Sequence, residues 1–424
     1  MKSVTSTFFD EEEIEPPLGK KAGPEGTLPS RVRSYERIVE KKSHILARLF
    51  GYTSQPSKEA YDRWASNVCA GDKLADTMVE WINEDKQGQR RSLLFSALDH
   101  GVDTNTPKYI SDFFEAIEPT PYWVDTDLLD LGSKVIHRWG SLAGDVLRDV
   151  ALMGGYLLSG VNHALILAGG LDKDPGSRIS ETAKWWVACT EQGGMERFGD
   201  GFKATIRVRL VHGMIRNNLL ENKAWDYQRH GLPINQTDMA ATNLAFSAVS
   251  IVAVRLLGVS VTSQESKAVM HLWKYIGWLM GIDEKLLFDT EKSGLLGLQE
   301  SLWTQSAPDW TSMQLARSLS LEPISRRFEW SDRYPSLHSA RIMFDYHKSL
   351  SFTSYFLSRR QLKNLGLPSG VTPWYPVIFV PFRVVMSVLI RVIPKFRSFM
   401  EAKGRLSQIS KMGLVTKSVE IKNY

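Results

Sequence analysis

Along this 424-residue chain apolar positions recur at helical spacing and nowhere alternate with polar ones long enough to make a substantial sheet. The pattern therefore predicts an all-α protein, a multi-helix bundle. After a start with no apolar run, apolar residues at 35, 38, 39, 45, 46, 49 and 50 share one helical face that closes on Gly51. Gly71-Asp72 and the polar run from Asp85 to Arg91 separate two further amphipathic helices, and residues 34–118 read as a helical layer packed on a core. The core begins at Pro121-Tyr122-Trp123-Val124, with Asp125 as the N-cap of the next helix.

The most apolar segment, Val150 to Leu171, holds no Asp, Glu, Lys or Arg across 22 residues. That length would license a membrane span. Its Gly154-Gly155, Asn162, His163 and Gly169-Gly170, with Asp145, Arg148 and Asp149 just before it, fit a buried central helix better. Asp174-Pro175 then supplies an N-cap and a first-turn proline for a helix carrying Arg178, Glu181, Thr182, Trp185 and Cys189. Past the glycine break at 193–201 comes a helix through Thr205, Arg209, His212, Arg216 and Leu219, and after a loop an almost wholly apolar helix over 238–257. Thr262-Ser-Gln-Glu265 is a capping box for a helix that ends at Gly281. In the tail, Val377 to Val392 is apolar but interrupted by Pro381, Arg383 and Arg391, which fits a helix docked on the core or lying in a membrane interface.

Composition narrows the class. A net charge of +5 without a long basic run argues against nucleic acid. Cys69 and Cys189 stand far apart, which excludes a disulfide framework, a zinc ribbon and covalent haem attachment. None of the nine histidines follows a glutamate by three residues, and no dinucleotide, P-loop or zinc-protease motif occurs. The acidic, Pro- and Gly-containing stretch at 1–33 reads as a disordered tail and, lacking a leader or anchor pattern, implies a cytoplasmic protein.

Candidate chemistry centres on His212, which shares a helix face with Arg209 and Arg216, one turn to either side. Two guanidinium groups beside an imidazole on an apolar face need an anion. A haem would supply one, its iron taking the imidazole and its propionates the arginines. The same spacing also fits a core histidine flanked by ordinary surface arginines. The preceding helix offers Arg178, Glu181 and Thr182 as a small polar cluster that could cover the other side of a bound ring.

The order Arg178-x-x-x-Thr182, then Arg209-x-x-His212-x-x-x-Arg216, then Pro233-Ile-Asn-Gln-Thr-Asp238 and an apolar helix, resembles the oxygenase family of the latex clearing protein (rubber oxygenase) and the fungal oxygenase of mycophenolic acid biosynthesis. The resemblance runs from about residue 119 to 350, and it implies a globin-like helical core holding b-type haem and dioxygen chemistry on an isoprenoid-like apolar substrate. It makes His212 the iron ligand, Arg209 and Arg216 its haem-positioning neighbours, and Arg178 and Thr182 the distal pair. On the buried central helix Asn162 and His163 point toward the cofactor or substrate cavity, or His163 is a hydrogen-bonded core residue. Two positions depart from the family. Glu181 stands where rubber oxygenases place a lysine, and Asn162 where they carry a glutamate.

The resulting expectation is a haem b-dependent oxygenase using dioxygen, with Glu181 moving protons and residues 351–424 in possible contact with a membrane surface. Other readings are a haem sensor or carrier, a peroxidase-like enzyme, or a haem-free helical interaction protein.

Overall fold

The computed structural model describes residues 28–40, 57–170, 175–221, 224–328 and 330–416, and among them every regular element is a helix. Five helices form the N-terminal layer: α1 (Tyr35–Glu40), α2 (Lys58–Ser66), α3 (Lys73–Asn83), α4 (Gln89–His100) and α5 (Lys108–Ile117). The rest of the helix expected over 35–50 lies outside the described residues. Asp72 caps α3 by accepting from the Ala75 amide at 3.2 Å. The expected disordered tail extends too far, because the Ser30 amide donates to the Gln228 carbonyl and buried Arg31 donates from Nη2 to both oxygens of Asp238 at 2.8 and 2.9 Å. A guanidinium with a buried carboxylate partner orders the chain that carries it.

The core starts with α6 (Thr126–Arg138), capped by Asp125 as its sequence predicts. It packs along α12 (Ser263–Leu279), whose Thr262–Glu265 capping box is formed. Their close approach needs Gly132, where a Cβ would sit 2.7 Å from the Ala268 carbonyl oxygen. Between these two in sequence come α7 (Ser141–Gly155), α8 (Ser159–Leu165), α9 (Pro175–Cys189), α10 (Asp200–Glu221) and α11 (Gln236–Leu256). Asp174, the expected cap of α9, lies outside the described residues.

One expectation is corrected here. Val150 to Leu171 is not a single central helix: its described part bends by 105° between α7 and α8, after Gly154-Gly155. Both arms contain π-helical turns, at Leu147–Leu152 and Ile166–Gly170. Such turns widen the backbone and leave helix faces imperfectly packed. A third lies in α11, at Ala245–Val249.

The chain closes with α13 (Glu291–Ser301), α14 (Trp310–Ser325), α15 (Pro335–Phe356), α16 (Arg359–Asn364), α17 (Trp374–Val392) and α18 (Pro394–Thr416). One main cluster of buried side chains, including Trp64, Phe113, Phe202, Ile251 and Trp273, joins the N-terminal layer to α6, α10, α11 and α12. A smaller one joins Met153 and Leu157 to Ala316, Leu319 and Leu362.

Candidate active site

Helices α9 and α10 form an antiparallel hairpin across the glycine-rich turn at 190–199. Its closed end is pinned by Trp185, whose Nε1 donates to Thr205 Oγ1 at 3.1 Å, and by buried Cys189, whose Sγ lies 3.3 Å from the same oxygen. Trp185 then meets Phe246 of α11, with ring centroids 5.5 Å apart, and Phe246 stacks on Trp273 at 4.8 Å. These contacts tie α9, α10, α11 and α12 together.

The face read from helical spacing is formed. Thr205, Arg209, Arg216 and Leu219 are buried, and His212 lies among them half-buried. Its Nδ1 is sequestered with no hydrogen-bond partner among the described residues. Burial first, and the Arg216 charge second, lower its pKa to about 4 against the opposing pull of Asp72. At neutral pH the imidazole is uncharged, the form in which histidine ligates a metal. Among the described residues no group of three or more His, Cys, Asp or Glu could hold a metal ion. A single neutral imidazole is the donor that a ring holding its iron through its own nitrogens takes.

The arginines are not left for an external anion. Their anions come from the chain itself, in the N-terminal layer. Arg209 forks onto Asp72 at 2.6 and 2.9 Å and donates to the Leu279 carbonyl at 3.2 Å. Arg216 donates to both oxygens of Asp76, at 2.9 and 3.1 Å, and to the Ile234 carbonyl at 2.7 Å. Gly281 makes room for the first pair: its φ is 86°, and a Cβ there would stand 2.1 Å from Asp72 Oδ2 and 2.7 Å from Arg209 Nε. The two guanidinium groups therefore anchor the turns before and after His212. Arg216 Nη2 alone stays buried without a partner among the described residues.

Asn162 and His163 are also redirected. His163 Nε2 lies 2.9 Å from Asp309 Oδ2 at the start of α14, and its ring meets His230 at 4.2 Å. This bond to the imidazole and that of Thr311 help hold the Asp309 carboxyl down to about 2, against burial. Asn162 donates to the Tyr156 carbonyl at 2.8 Å and to Ser312 Oγ at 3.2 Å, leaving its Oδ1 buried and unpartnered among the described residues. Both side chains stitch α8 to α14 because the bend after Gly155 turns α8 toward that helix.

On α9, Arg178 is half-buried beside Tyr156, whose hydroxyl burial raises to about 12. Glu181 and Thr182 are exposed. Several apolar surfaces in the same part of the core are open too. Leu152 is exposed, nothing lies within 4 Å of where a Cβ on Gly155 would sit, and residues 165–169 are only half-buried. These apolar helix surfaces are incompletely covered.

The described part of the chain is all-helical and presents, on a helix clamped on both sides, the neutral imidazole of His212, whose Nδ1 has no hydrogen-bond partner among the described residues. Residues 137–391, more than half of the chain, match the family described as ER-bound oxygenase mpaB/B'/Rubber oxygenase, catalytic domain, and the chain belongs to that family. It is similar to the rubber oxygenase of Streptomyces sp. (strain K30), with 23% identity over 193 residues covering 45% of this chain. The match spans about half of that relative's length, 47%. The fold is shared with the structure of the latex clearing protein in its closed state, at a TM-score of 0.54 and 16% identity over 82% of this chain and 91% of that one.

Proposed function

We propose that this chain is a haem b-dependent oxygenase that uses dioxygen on an unsaturated, isoprenoid-like apolar substrate. The observation that carries the reading is His212, a neutral imidazole with Nδ1 buried and unpartnered on a helix clamped on both sides. A bound haem would supply the iron that activates oxygen.

The chain's own residues do the rest. Asp72 and Asp76, through Arg209 and Arg216, fix the α10 backbone so that the imidazole is presented without reorganisation. The spare Nη2 of Arg216 is the donor best placed in chemistry to meet an anionic edge of the cofactor. The Arg178 guanidinium and the Thr182 hydroxyl are donors toward negative charge developing on oxygen, and the Glu181 carboxylate holds or moves the proton. Leu152, the open side of Gly155, Trp185 and Phe246 supply the apolar surface that takes the substrate and excludes water. Asn162, hydrogen-bonded to Ser312, carries no charge where rubber oxygenases have glutamate, so proton transfer falls to Glu181.

The test is oxygen uptake by haem-loaded protein with polyprenyl and other unsaturated lipids, followed by product masses. Uptake that gives carbonyl products supports the reading. Stoichiometric haem without uptake on any unsaturated substrate replaces it with a sensor or carrier.

A further inference from the structure

The helix α17 is built inside out. At 100° per residue, Val377, Ile378, Pro381, Phe382, Val384, Val385, Val388, Leu389 and Val392 fill a continuous arc of about 160° with no polar or charged side chain. All nine are exposed, and Val377, Ile378, Phe382, Val385, Val388 and Val392 are each between 56% and 71% exposed. Of the 18-residue window that would suit a membrane span, only 11% is buried. The helix turns its polar residues toward the protein instead. Ser387 Oγ donates to the Gly258 carbonyl and accepts from the Ser260 amide, both at 3.1 Å. Arg383 is half-buried, 5.8 Å from the ring of Tyr375, and the Tyr375 amide donates to Ser351 Oγ at 2.9 Å.

Water does not favour such an arc, so something apolar covers it. Charge decides what. From residue 373 onward the sequence carries nine Lys and Arg against two Asp and Glu; Arg397, Arg405 and Lys411 pair with Glu265, Glu191 and Asp145 of the protein body, while Arg391, Lys395 and Lys403 are exposed. A second copy of this chain docked on the arc by two-fold symmetry would set each basic flank against its own image. Anionic lipid headgroups would complement it, with the exposed Lys395 three residues past the end of the arc and Trp374-Tyr375 at its start. The bonds from Ser387 and Tyr375 hold the inner face on the protein body, so the helix cannot enter a bilayer on all sides.

We propose that the outward face of α17 is a lipid-binding surface that seats the chain in the interface of an anionic bilayer without crossing it. This does not depend on the bound cofactor or on the reaction.

The experiment is flotation of the full chain with vesicles of phosphatidylcholine alone and of phosphatidylcholine mixed with phosphatidylserine. The full chain floats with the mixed vesicles, less with the neutral ones, and high salt weakens the difference. Phe382→Asp lowers the bound fraction by about tenfold or more, Val392→Asp lowers it in the same direction, and Val385→Leu leaves it unchanged. Val392 is the most exposed residue of the arc, so its substitution tests the surface even where Phe382→Asp fails to fold. A wild-type chain that stays with the soluble fraction overturns the proposal. So does flotation undiminished in Val392→Asp, or a dimer in solution that Val392→Asp dissociates while vesicles never bind.

Discussion

Replacing Asp72 by Asn tests whether the arginines beside His212 are satisfied by the chain or reserved for a ligand. Asn keeps the side-chain oxygen that caps α3 but removes the charge facing Arg209. Arg209 and Asp72 are only 6% and 5% exposed, so the guanidinium left behind is buried with half its fork unpaired. Breaking one side of such a pair costs about 3–5 kcal/mol. Asp72→Ala loses the cap as well, adding about 1 kcal/mol. Against a total stability of roughly 5–15 kcal/mol, either change is severe. Denaturant unfolding followed by far-ultraviolet circular dichroism measures it. A double-mutant cycle with Arg209→Met should show a coupling well above the roughly 0.5 kcal/mol additivity error. If Asp72→Asn costs under about 1 kcal/mol in the cofactor-free protein, the pair does not anchor α10, and an external anion regains its place beside Arg209.

Other substitutions and pH separate the remaining roles. Gly281→Ala should destabilise by about 2 kcal/mol or more, through both the positive φ and the clash with Asp72, and thermal unfolding reads it. The folded pKa of His212 lies below its unfolded value, so its contribution to cofactor-free stability is present above about pH 6.5 and is lost as pH falls toward about 4. That contribution is at most about 3 kcal/mol, and His212→Leu should flatten the pH dependence of stability across that window. Asp309→Asn should lower stability through the lost His163 bond and leave a bound haem's absorption unchanged, whereas a shifted band would return His163 to the cofactor. Glu181→Gln should lower oxygen turnover about a hundredfold without loss of haem, and unchanged turnover would remove Glu181 as the proton-handling group.

What the sequence shows of this molecule is what repeats locally. The helical class, the Asp125 cap, the Thr262 capping box and the shared face of Thr205, Arg209 and Arg216 all follow from spacings of a few residues, and each is present. The bend after Gly155 is hidden because a run without charged side chains looks the same straight or folded, and Gly154-Gly155 is compatible with either. The partners of the arginines were hidden by distance: Asp72 lies 137 residues from Arg209, and Asp76 lies 140 from Arg216. The one local hint was Gly71-Asp72, legible as a helix start but not as an ion-pair partner. For the same reason His163 fits a cavity or a hydrogen-bonded core position equally from the sequence, its partner Asp309 lying 146 residues away. The tail helix was legible as apolar with basic interruptions, but which face it turns outward depends on Gly258 and Ser260, far from it in sequence.

The most direct measurement is the haem content and Soret absorption of protein purified after expression with haem supplied, for the wild type, His212→Ala and His163→Ala. One haem per chain in the wild type and in His163→Ala, and its loss in a His212→Ala protein that keeps its helical circular dichroism, is the predicted result. A His212→Ala protein with full haem and an unchanged Soret band, or a wild type that takes up none, would contradict it.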